Sequence, residues 1–143
     1  KVVEGFRRIG GELGYPTVDY SSDSVASLPQ HLRSGIYCGW CQIGDSCAVY
    51  PAVVTLGHNP YYRNRHKTME VHILHPIDLP HYGITVKTCL IEYLRVEKEY
   101  PNLKELASAI AEDIDTAKHI LLKPYSLKYK HHPFFIEQHG IIC

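Results

Sequence analysis

The chain lacks any apolar run approaching the roughly 20 residues a helix needs to cross a bilayer. Stretches such as Ile120 to Leu122 and Ala52 to Val54 break off far too early. It also lacks an excess of charge: fifteen Lys and Arg residues balance fifteen Asp and Glu. That balance excludes the broad cationic field duplex DNA demands, though not a local basic loop. The opening Lys1-Val2-Val3 has no signal-peptide pattern, and the missing initiator Met suggests a removed N-terminal piece. Cysteine is sparse and odd in number, at 38, 41, 47, 89 and 143, which is no framework for a small disulfide-stapled scaffold. Reduced thiols in an intracellular, cytoplasmic protein are expected, with organelle targeting left open. Familiar catalytic signatures are missing too: no GxxxxGK[ST] loop, no GxSxG elbow, and no protein-kinase HRD or DFG element.

What is present is enough for one domain, taken as residues 1–143, with 45% hydrophobic residues to build a core. Short runs rich in Val, Ile, Tyr and Thr, bounded by Gly, Pro, Asn and Asp, predict strands at Val2 to Phe6, Gly35 to Ile43, Cys47 to Leu56, Thr68 to His75 and Gly83 to Arg95. Gly44-Asp45-Ser46 predicts a hairpin between the second and third of these. No helical stretch separates the strands, which favours an antiparallel barrel or sandwich over a doubly wound sheet. The period changes at Leu103, where Leu106, Ile110, Ile114, Ala117 and Leu121 mark one face of a helix. Asn102 and Glu105 form a capping-box-like start, and Pro124 marks the stop. Asp113 falls about 20° from Leu106 around that helix, at the margin of the apolar stripe, where it either faces a cleft or sits at a solvated edge.

Three local patterns could carry chemistry. Gly10-Gly11-Glu12-Leu13-Gly14 permits close approach to an anion and runs into an extended Pro16-Thr17-Val18-Asp19, whose period of two puts Thr17 and Asp19 on one face as oxygen donors for a hard cation. In Met69-Glu70-Val71-His72-Ile73 the apolar row leaves Glu70 and His72 opposite, so Glu70 is either a proton acceptor facing a pocket or an exposed strand residue. The segment His58 to Lys67 concentrates basic and aromatic residues, suited to a planar or phosphorylated ligand or to a solvated hairpin tip. By contrast, Cys38 and Cys41 lie three apart in a predicted strand and point to opposite faces, which argues against a redox or zinc pair. The same parity argues against His72 and His75 as joint metal ligands.

In this order, LGYPTVD at 13–19, SGIYCGW at 34–40, VYPAVVTLGHNPYYRN at 49–64, TMEVHILH at 68–75, YGITVKTCLIEYLRVEK at 82–98 and AIAEDIDTAK at 109–118 resemble the riboflavin kinase family, nearly end to end. The resemblance implies a six-stranded antiparallel Greek-key barrel with a long C-terminal α-helix. It implies transfer of the ATP γ-phosphate to the ribityl 5′-hydroxyl of riboflavin, giving FMN and ADP. It assigns Glu70 as general base and Thr17 with Asp19 as the protein's share of a magnesium shell, with zinc or manganese as alternatives. Gly5, Arg8, Gly10, Gly11, Gly14, Thr17, His75 and Tyr82 fall on the nucleotide side, and Arg95, Glu97, Lys98 and Asp113 on the flavin side. Only small-molecule substrates are implied, with no nucleic acid or membrane partner and a monomeric state.

The chain departs from the family pattern in three places. Arg7 and Ile9 replace two glycines of GFGRGS, Asp19 replaces the Asn of PTAN, and Val96 replaces the Pro of YLRPEK. The first two make a flavin- or nucleotide-binding homologue with impaired phosphotransfer the competing expectation.

Overall fold

The described residues of the computed structural model are 2–3, 15–44, 46–58, 67–77 and 85–136. They form six strands: β1 (Val2–Val3), β2 (Thr17–Tyr20), β3 (Gly35–Ile43), β4 (Val49–His58), β5 (Lys67–Ile73) and β6 (Val86–Arg95). Four helices join them: α1 (Ser22–Ala26), α2 (Leu103–Leu121), α3 (Pro124–Lys130) and α4 (Pro133–Ile136). The strands make one antiparallel sheet in the order β1-β2-β5-β4-β3-β6. Strands β3, β4 and β5 follow one another as neighbours and β6 returns beside β3, which is Greek-key connectivity.

In backbone pairing the sheet is open, with β1 and β6 at its edges, so a closed six-stranded barrel is not what the described ladders form. The sheet nonetheless curls: the Tyr20 hydroxyl on β2 donates to the Val86 carbonyl of β6 at 2.6 Å and lies 2.6 Å from Thr88 Oγ1.

Period-two alternation decides which side chains meet. The inner face gathers Val18, Tyr37, Cys41, Ala52, Val54, Leu56, Met69, Val71, Ile73 and Val86 into one buried cluster. The outer face carries Ile36, Cys38, Trp40 and Val53, which pack against Ile114, Ala117, Ile120 and Leu121 of α2. That helix begins as its sequence dictates, with Asn102 Oδ1 accepting from the Glu105 amide at 2.9 Å. Pro124 ends the α2 pattern by opening α3 as its first residue. Trp40 Nε1 donates to the Ser126 carbonyl at 3.0 Å and Gln42 Nε2 to the Phe135 carbonyl at 2.9 Å, fixing the two short helices to β3. No helix among the described residues is long and apolar enough to cross a membrane.

Cys38 and Cys41 occupy opposite clusters, and both are free thiols, as is Cys89. Burial pushes Cys38 up to about 11 and Cys41 up to about 12, so neither is a thiolate at neutral pH. Cys47 corrects the expectation of reduced thiols, because it is disulfide-bonded.

The contact between β3 and β6 is tightest at Gly39, beside a register shift. A Cβ there would sit 2.2 Å from the Cys89 carbonyl oxygen, a backbone atom that cannot swing aside. Gly39→Ala should therefore destabilise the fold by about 3 kcal/mol, read as a lower urea midpoint with unchanged slope. An unchanged midpoint would show that the two strands have room to part.

Candidate active site

The site grows from one ladder. Strands β2 and β5 pair so that Asp19 lies opposite Glu70 and Thr17 opposite His72. Directly opposed residues of an antiparallel pair share a face, which puts all four on the outer side of the sheet, toward α2. The apolar row Met69, Val71 and Ile73 is buried in the inner cluster, as its alternation predicted, so Glu70 and His72 have only the outer face to occupy.

The Asp19 and Glu70 side chains are hydrogen-bonded to each other. Glu70 is pushed up to about 7, first by burial, then by the charge and hydrogen bond of Asp19, and last by the charge of Glu97. Asp19 is also raised by burial, but its hydrogen bond with Glu70 pulls the other way. The two carboxyls are therefore coupled and together hold a proton into the neutral range. Two neighbouring polar atoms have no hydrogen-bond partner although buried: Thr17 Oγ1 and His72 Nε2. An unsatisfied buried polar atom costs about 1–3 kcal/mol, so two at one cross-strand position mark a place arranged for something other than stability. Burial keeps His72 below its usual range and thus neutral.

Glu97 was expected beside the flavin-side residues, and its charge reaches Glu70. Its carboxylate lies over Gly57 of β4, where a Cβ would stand 2.6 Å from Glu97 Oε2. Gly57 is the residue that leaves room for it.

Farther along the same face, Arg95 at the end of β6 grips Asp113 of α2. Nε lies 2.8 Å from Oδ1 and Nη2 lies 2.6 Å from Oδ2, a bidentate pair. Asp113 is 7% exposed, so the stripe-margin residue points into the structure and not to solvent. A third donor, Arg95 Nη1, reaches the Val96 carbonyl at 3.0 Å. Arg95, Lys98, Tyr100, Glu105, Ser108, Ala109 and Glu112 line a cleft of about 420 Å³ between the end of β6 and α2. His75 lies apart from both groups, exposed, with its ring 4.9 Å from that of Tyr50 and Nδ1 3.1 Å from the Pro76 carbonyl.

Gly5, Arg8, Gly10, Gly11, Gly14 and Tyr82, and the loop residues 59–66, lie outside the described residues. The residue the sequence reading passed over is His72. Its parity with Glu70 was visible, but its burial opposite Thr17 depends on a strand pairing that local pattern does not specify.

The shared proton has a measurable consequence in metal-free protein. Unfolded, Glu70 ionises near 4.5; folded, it holds its proton to about 7, so the native state binds the extra proton. The stabilising contribution of this proton is therefore full below about 4.5 and is lost as pH rises through about 7. Glu70→Gln keeps a hydrogen-bond donor that cannot ionise, and its advantage over wild type should grow across that window to about 2 kcal/mol. Urea unfolding in EDTA at a series of pH values reads this directly; parallel curves for the two proteins would contradict it.

Comparison with known proteins adds independent information. The family model described as "Flavokinase: Riboflavin kinase" matches residues 1–121. Human riboflavin kinase is 42% identical over 135 residues, covering 94% of this chain and 86% of the relative. Mouse riboflavin kinase is 42% identical over 142 residues, covering 99% and 91%. Among solved structures, one described as a macrolide-efflux protein from Streptococcus pneumoniae superimposes with a TM-score of 0.63 over 82% of this chain and 36% of that one, at 22% identity, a likeness of fold alone. A family match that takes in β1 through α2, together with two mammalian relatives matched over most of their length, means that the chain belongs to the riboflavin kinase family.

Proposed function

We propose that the chain phosphorylates riboflavin, transferring the γ-phosphoryl group of ATP to the ribityl 5′-hydroxyl and releasing FMN and ADP. Within that family, the observation that carries the reading is the Glu70 carboxyl: half-buried on the outer face of the sheet, opposite Asp19, and titrating about where a base must work at neutral pH. As its carboxylate, Glu70 accepts the hydroxyl proton while the oxygen attacks phosphorus. Phosphoryl transfer asks little covalent chemistry of the protein, so alignment and charge carry most of the catalysis.

A divalent cation fits the residues present. Thr17 Oγ1 is a buried oxygen with no other partner, and Asp19 adds a carboxylate on the same face. No three His, Cys, Asp or Glu residues among those described converge on one ion position. A small protein share completed by phosphate oxygens and water is how magnesium is commonly held, so magnesium is the proposed ion, with zinc or manganese as alternatives. Bound there, it would neutralise charge on the transferring phosphoryl group.

Gly5, Arg8, Gly10, Gly11, Gly14, Thr17, His75 and Tyr82 are proposed for the nucleotide, and Arg95, Glu97, Lys98 and Asp113 for the flavin. The bidentate Arg95–Asp113 pair supports a cleft held in shape before the flavin arrives. We further propose that the Greek-key sheet is a six-stranded barrel in the complete fold, a reading supported by the Tyr20 link between β2 and β6. The protein is read as one domain over 1–143, monomeric and cytoplasmic.

A second reading, a flavin- or nucleotide-binding homologue with impaired transfer, is favoured by one observation: Asp19 engages the carboxyl that must accept the proton. Incubation with riboflavin, ATP and magnesium, followed by chromatography with fluorescence detection, should yield FMN. Glu70→Ala should lower kcat by about 10²–10⁴-fold while nucleotide still raises the melting temperature. Flavin binding without FMN under magnesium, zinc and manganese, with turnover appearing in Asp19→Asn, would replace the first reading by the second.

A further inference from the structure

Beyond the C-terminal end of α2, apolar exposure and lysines coincide. Six large hydrophobic side chains are exposed among the described residues, and four of them, Leu122, Tyr125, Tyr129 and Phe134, fall on or beside α3 and α4. From Thr116 to Ile136 the chain has four lysines and three histidines and no Asp or Glu, in a protein whose formal charge is zero. Lysines are threaded among the rings: Lys128 Nζ lies 5.1 Å over Tyr129 and Lys87 Nζ lies 5.4 Å over Phe134, while the His132 ring stacks on Tyr129 at 6.1 Å.

We propose that this α3–α4 surface docks the protein on a membrane surface rich in anionic phospholipid. Two features favour lipid over an acidic protein. The side chains project, with Leu122 at 72% exposure, and so offer no groove to an extended or helical peptide. The cations are lysines, which protein interfaces tend to exclude, whereas lysine with tyrosine and leucine is the composition of an interfacial anchor. The lack of a spanning helix bears on crossing a bilayer, not on lying against one. Asp113 precedes Leu122 by nine residues, about 13 Å along the helix, so the Arg95 cleft stays open while the surface is engaged.

Co-sedimentation of the full chain with phosphatidylcholine vesicles, with and without about 30% phosphatidylserine, tests the proposal. Binding should require phosphatidylserine, weaken steeply with salt, and fall at least about 25-fold in Lys123→Glu/Lys128→Glu, at roughly fivefold or more per lysine. Tyr125→Ser/Tyr129→Ser should weaken binding without changing its salt dependence. Both double variants should form FMN at the wild-type rate and melt at the wild-type temperature. Equal binding to neutral vesicles, no binding to either, indifference to the lysine reversals, or equally tight binding to polyglutamate would overturn it.

Discussion

The pairing of β2 with β5 is the constraint on which the rest depends. A backbone ladder between two short strands sets Asp19 against Glu70 and Thr17 against His72. A one-residue slip would turn all four into the apolar inner face and bring Val18 and Val71 out. The register is held because Val18, Met69, Val71 and Ile73 each fill inner-core positions, so burial of one row fixes the exposure of the other to the site. The geometry of the candidate site is thus a by-product of hydrophobic packing on the opposite side of the same strands.

The charge state follows from that geometry. Two carboxyls across a ladder, partly removed from water and within reach of a third at Glu97, cannot all ionise without compensation. In the metal-free chain one proton supplies it. In the proposed reaction Thr17 and Asp19 would hold a cation that supplies this compensation, leaving Glu70 to act as the base. Asp19 strengthens this coupling, because its charge and hydrogen bond both raise Glu70.

The helical segments do different work. Helix α2 covers the outer face and brings Asp113 to Arg95, while α3 and α4 are pinned by Trp40 and Gln42. The pinned side of α3 and α4 is buried at Ser126 and Phe135, leaving tyrosines and lysines to the outside.

Local pattern was enough to read the strand at 69–73, its two faces, and the helix from Leu103 with its Asn102 cap, because alternation and capping act within a few residues. It also read Cys38 and Cys41 as divergent. The short helices α1, α3 and α4 escaped notice because none is long enough to display a period, and β2 showed only as an extended stretch. The contacts that make a site join distant parts of the chain: Asp19 with Glu70, Arg95 with Asp113, Glu97 over Gly57, Tyr20 with Val86. Sequence determined which side chains each strand or helix offers on each face; only the tertiary structure decided which faces meet, because that choice is made by burying the whole core at once.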